Sequence, residues 1–193
     1  APYLEVNLRE MIRKRGGWLI LLFVGEMFTT TAMHHFEVEM AKAAVLMLFV
    51  PLIISSGGNS GSQATTLIIR SLALREIRLS DWWRVLQREI LTGFSLGAIL
   101  AAIGFARVTI WGALSPEKIF TDHYVMVGIS VSAALVGVVL FGAVVGSMLP
   151  FILRRLKLDP ASASAPFVAT LVDVTGLVIY FSVARLFLTG TLL

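Results

Sequence analysis

The sequence has no cysteine, so disulfides, thiolate metal ligands and thiol nucleophiles are excluded together. Charge is scarce too: 15% of the 193 residues are charged and 57% are hydrophobic, with a mean hydropathy of +0.86. That balance is far too apolar for a soluble domain of this length, and it places the chain in a bilayer. The zinc-hydrolase pattern HExxH is absent. No phosphate-binding loop with lysine is present either, because GGNSG at 57–61 lies inside an apolar run rather than between a strand and a helix. ATP is therefore not the expected energy source. The sequence starts without an initiator methionine and without a signal-peptide pattern, so a preceding domain is expected.

What the chain does have is apolar runs. Crossing the hydrocarbon core takes roughly 20 mostly apolar residues, and such runs cover 16–33, 43–69, 90–109, 124–153 and 161–184. The expected fold is all-α and polytopic, with five transmembrane helices. An odd count excludes two equal inverted halves, and no internal repeat is visible.

The basic residues are unevenly shared between the spans. Arg9, Arg13, Lys14 and Arg15 precede the first, Arg70, Arg75, Arg78, Arg84 and Arg88 lie between the second and third, and Arg154, Arg155 and Lys157 follow the fourth. Only Lys42, Arg107, Lys118 and Arg185 fall on the other side. The positive-inside rule then puts the N-terminus in the cytoplasm and the C-terminus outside. Short basic loops facing anionic lipid account for the net charge of +4 and the pI near 9.9, with no nucleic-acid partner needed. Between the second and third spans, Ser80 or Asp81 can cap a helix that carries Trp82 and Trp83 at headgroup level.

Spans three and four carry Gly93, Gly97 and Gly104, then Gly128, Gly142 and Gly146. Small residues four apart let helices approach closely in lipid, so these two spans read as scaffold. The second span is different. It carries Pro51, three glycines, four serines, Asn59 and Gln63. Such residues tolerate backbone that is not helical, which in a membrane must be buried in protein or line water. Ser55, Gly58, Ser62 and Thr66 fall on one helical stripe. A stripe of hydroxyls and exposed carbonyls suits the wall of a pathway, although Ser and Thr can also bond back to their own helix.

The fifth span carries a second stripe, Ser162, Pro166, Ala169, Asp173, Gly176 and Tyr180. Asp173 sits near its middle, and no Lys or Arg occurs at midspan in any of the five segments. An ionisable group at that depth is costly and points to function. Across a twofold axis it would meet its own copy, and two close carboxylates favour a divalent cation. Oxygen ligands select the hard ions Mg2+ and Ca2+, and a wide site suits a hydrated Mg2+. Glu26, beside Thr29, Thr30 and Thr31, is a second intramembrane acid, placed either on the route or against a neighbouring hydroxyl. His34, His35, Glu37 and Glu39 form an outer group that reads as an acidic vestibule, with Glu37 as a possible accessory residue.

The run PLIISSGGNSGSQATTLIIRSLA resembles the signature of the MgtE family of magnesium channels and transporters. The runs LPFILRRLKLDP and APFVATLVDVTGLVIYF are similar to that family's following loop and pore helix. The resemblance covers nearly the whole chain. It implies a homodimer with the pore on the dimer axis, lined by the second and fifth helices, in the cell's inner (plasma) membrane. It also implies that Asp173 binds hydrated Mg2+ with help from the Ala169 carbonyl, while Gly58, Asn59, Thr66 and Gly176 join Ser55 and Ser62 in lining the pore. Departures from the family pattern at Ser55, Ser62 and Ala165 leave Ca2+ and Mn2+ open beside Mg2+. Residues 1–15 resemble the end of a cytoplasmic connecting helix and 16–193 the pore domain, with the family's cytoplasmic magnesium-sensing domains missing from this chain.

The leading expectation is thus a channel that passes Mg2+ inward down its electrochemical gradient; a proton- or sodium-coupled exchanger is the alternative. An intramembrane aspartyl protease would want two facing aspartates, and each chain has one at midspan. A purely structural membrane anchor would leave Asp173 unexplained.

Overall fold

A computed structural model describes residues 7–114, 123–190, 192 and 193, apart from the side chains at 161–163. Ser162's side chain and Lys118 therefore lie outside the described residues. The described residues are mostly helical, joined by short turns. In order come α1 (Leu8–His35), the short α2 (Glu37–Lys42), a 3₁₀ segment (Ala44–Phe49), α3 (Val50–Ala73), a 3₁₀ turn (Leu79–Asp81), α4 (Trp82–Leu114), α5 (Tyr124–Arg155) and α6 (Pro160–Leu188). Five of these stretches are long and apolar enough to cross a membrane.

The expected spans are all present, and two are laid out differently. The second is not broken at its glycines: α3 runs without interruption from Val50 to Ala73, with Pro51 in its first turn, where a missing N–H costs nothing. The irregular backbone lies just before it, in Ala44–Phe49. Tyr180, which has no exposed surface, donates its hydroxyl to the Leu46 carbonyl there at 2.8 Å. The third span has no separate interfacial helix in front of it. Asp81 accepts from the Arg78 N–H at 2.8 Å, and Trp82 begins α4 directly, leaving both tryptophans exposed.

Helix α5 is the centre, with α3, α4 and α6 packed around it; α1 lies outside against α6. The small residues explain how. A Cβ on Gly142 would overlap the Gly57 carbonyl oxygen, and one on Gly146 would overlap that of Gly61, so α3 and α5 touch backbone to backbone. On the other side Gly93 and Gly97 of α4 bring Ala143 and the Val136 backbone to within 2.9 Å of an added Cβ. Lipid tails supply no hydrophobic drive between helices, so close packing and interhelical hydrogen bonds hold them. Ser60 donates to the Val139 carbonyl at 2.9 Å, Ser132 to that of Ala101 at 3.0 Å and Thr65 to that of Gly146 at 2.8 Å.

One end of the bundle is basic. The α3–α4 turn and the end of α5 meet there, with Arg154 donating to the Leu72 carbonyl at 3.2 Å, and a groove beside α1 brings Lys14 and Arg15 near Asp159.

Candidate ion pathway

Helix α3 has two unlike faces. Ile53, Gly57, Gly61, Ala64, Thr65, Ile68 and Leu72 are buried in the bundle. The opposite face carries Ser55, Asn59, Ser62, Gln63 and Thr66, all exposed on the single chain. Gly58 borders that face, with no atom within 4 Å of an added Cβ. Thr66 donates to the Ser62 carbonyl at 2.8 Å, so its hydroxyl bonds to its own helix while remaining on the open face.

Helix α6 changes character along its length. Pro166 and Ala169 are exposed, Asp173 is half-buried, and Gly176 and Tyr180 are buried. Gly176 lies beneath Val138 and Ile54, whose side chains come to 3.5 and 3.7 Å of an added Cβ. Pro166 also removes the N–H that would bond the carbonyl of residue 162.

A groove of about 510 Å³ lies between α1 and α6, lined by Leu19, Leu22, Phe23, Glu26, Ala169 and Thr170 among others. Leu19, Leu22 and Pro166 are shared with the basic-end groove that holds Lys14, Arg15 and Asp159, so the two run together along one seam. Glu26 and Asp173 are near enough for their charges to interact. The structure therefore brings Glu26 to the Ala169–Asp173 turn, and it makes no hydrogen bond to a hydroxyl among the described residues. Glu37 stands apart beyond the end of α1, 3.1 Å from the His34 Nδ1, and Glu39 faces Arg185 at 3.6 Å.

No group of three or more His, Asp or Glu capable of holding a metal occurs among the described residues. A cation at Asp173 would thus keep most of its water or share ligands with a second chain. Sequence reasoning counted Gln63 among the polar residues of the span but left it off the stripe, although it sits one turn after Asn59 on the open face; it missed Thr170, which lines both the Glu26 groove and an apolar groove beside it. The i,i+4 spacing of Asn59 and Gln63 was the available signal for the first.

Fold and site together define an α-helical, multi-pass membrane protein with acids and hydroxyls inside its spans. Residues 50–183 match the family model MgtE, described as a divalent cation transporter. The chain is 43% identical over 171 residues to the magnesium transporter MgtE of Thermus thermophilus, covering 89% of this chain and 36% of that protein. It is 32% identical over 176 residues to the protein of the same name from Enterococcus faecalis, and 30% identical over 175 residues to that from Bacillus subtilis. In both cases 91% of this chain is covered, against 36% and 37% of the relative. The chain belongs to the MgtE family, a family of transporters rather than enzymes. It spans a little over a third of the length of these relatives.

Proposed function

We propose that this chain is the pore-forming part of a magnesium channel or transporter of the plasma membrane, moving hydrated Mg2+ into the cytoplasm. The observation that carries it is the open polar face of α3 together with a midspan carboxylate that has no basic neighbour in the spans. In lipid, neither is tolerable unless it borders water. The chain acts as a homodimer, with Asp173 from each copy facing the axis and the Ala169 carbonyl assisting. Ser55, Gly58, Asn59, Ser62, Thr66 and Gly176 line the route, with Glu26 as an accessory acid. The N-terminus and the basic loops face the cytoplasm. A divalent ion moving inward gains about 4.6 kcal/mol per 100 mV of membrane potential, twice the value for a single charge, so no other driver is required.

The test is Mg2+ flux into proteoliposomes under an imposed inside-negative potential. Fast flux that Asp173→Asn reduces at least tenfold is the expected result; equal flux in both proteins would remove Asp173 from the mechanism. The nearness of Glu26 to Asp173 favours one second reading, a proton-coupled exchanger. Current that reverses at the Mg2+ equilibrium potential whatever the pH gradient decides for the channel.

A further inference from the structure

A pocket of about 400 Å³ opens at the basic end of the bundle, lined by Leu72, Arg75, Ile77, Arg78, Leu79 and Arg154. Three of its lining residues are arginines and none is acidic. The backbone builds it. Helix α3 ends with Arg75 in the left-handed region at φ 59°, and the Glu76 N–H turns back to the Ser71 carbonyl at 2.9 Å. Glycine is the ordinary occupant of such a position, so an arginine there places a long cation where the turn does not ask for one. Arg154 is fixed by its bond to the Leu72 carbonyl. The two acids of this turn accept hydrogen bonds within it, Glu76 from the Ser71 hydroxyl at 3.0 Å and Asp81 from the Arg78 N–H at 2.8 Å, and neither lines the pocket. Among the described residues no ion pair involves Arg75, Arg78 or Arg154.

Three arginines lining one pocket, none of them ion-paired among the described residues, suit an anion with several acceptor oxygens, and the arginine fork fits phosphate. Half of the pocket is aliphatic, and exposed Trp82 and Trp83 follow it at once in the chain. Paired indoles mark the headgroup level of a bilayer. We propose that this pocket binds the phosphate of an anionic phospholipid headgroup, with Ile77 and Leu79 against the lipid's glycerol and upper acyl chain. The lipid would then brace the turn that joins the α3 wall of the pathway to α4.

The experiment is native mass spectrometry of the purified protein in detergent with added phosphatidylglycerol. The pocket variant combines Arg75→Gly, which suits the left-handed turn, with Arg78→Gln, and leaves the Arg154 bond intact. Arg84→Gln with Arg88→Gln removes the same charge from exposed positions on α4 outside the pocket. Wild type and the α4 variant are expected to retain phosphatidylglycerol, and the pocket variant to bind it on the order of thirtyfold more weakly. Equal weakening in the α4 variant would overturn the site in favour of diffuse surface charge. Equal retention of phosphatidylcholine would reduce it to ordinary boundary lipid. Displacement by inorganic phosphate at matched concentration would make it a free-phosphate site instead.

Discussion

Pro150 has no N–H, so the Gly146 carbonyl, four residues earlier in α5, has lost its ordinary helical donor. In a membrane an orphan carbonyl is costly, and a neighbouring helix must answer it. Thr65 does so from α3, donating to Gly146 at 2.8 Å from a side chain that is 1% exposed. Thr65→Val keeps the shape and removes the donor. It should destabilise the protein by about 1 kcal/mol. In a Pro150→Ala background the helix supplies its own N–H, and the same substitution should cost close to nothing. Unfolding of the four proteins in detergent measures the coupling. An equal cost in both backgrounds would show that the hydroxyl does not compensate for the proline. The buried Tyr180 hydroxyl donates to the Leu46 carbonyl, so Tyr180→Phe should cost about 1 to 2 kcal/mol by the same measurement. Asp173 was legible from sequence because charge at midspan is rare; Thr65 was not, because its meaning depends on a proline 85 positions away on another helix.

At the scale of helices, the glycine-rich run of α3 serves two purposes that its sequence does not separate. Gly57 and Gly61 lie against α5, and Gly58 faces open space one residue away. Read along the chain, all three fit a backbone ready to unwind. The structure keeps the helix intact, because the contact with α5 needs a smooth, narrow surface. Gly61→Ala or Gly146→Ala pushes a methyl into the opposing helix and should destabilise the bundle by about 1 to 3 kcal/mol. Gly17→Ala, with nothing within 4 Å, should leave the melting temperature unchanged or raise it, since alanine favours a helix interior by about 1 kcal/mol over glycine. Thermal unfolding in one detergent compares the three, and equal shifts would mean that the glycines act through backbone freedom alone. The five spans were readable because apolar length suffices to find them. Their partners were not, because Gly93 and Gly142 look alike until it is known that one meets Ala143 and the other Gly57.

For the molecule as a whole, the proposed homodimer means that a single chain carries half of the pathway. The midspan acid was readable in the α6 stripe, and the role proposed for the Ala169 carbonyl only through the family resemblance, whereas the approach of Glu26 depends on how α1 lies against α6, which no local pattern encodes. The open face of α3 presents Ser55, Asn59, Ser62, Gln63 and Thr66 at a depth where lipid cannot satisfy them. A second copy related by a twofold axis would cover this face with its own equivalent, and would bring the two Asp173 carboxylates toward one ion. The lack of cysteine makes this directly measurable, because any thiol introduced is the only one in the chain. Thr66→Cys on the polar face of α3 should cross-link two chains in the membrane with a short thiol-reactive linker, and the link should slow Mg2+ flux. Leu91→Cys, 70% exposed on α4, should stay uncoupled under the same conditions. Cross-linking through Leu91 alone would move the interface to α4, and the pathway would then have to close within one chain. A monomeric mass by light scattering in detergent, with flux retained after reconstitution, would rule out the symmetric site altogether.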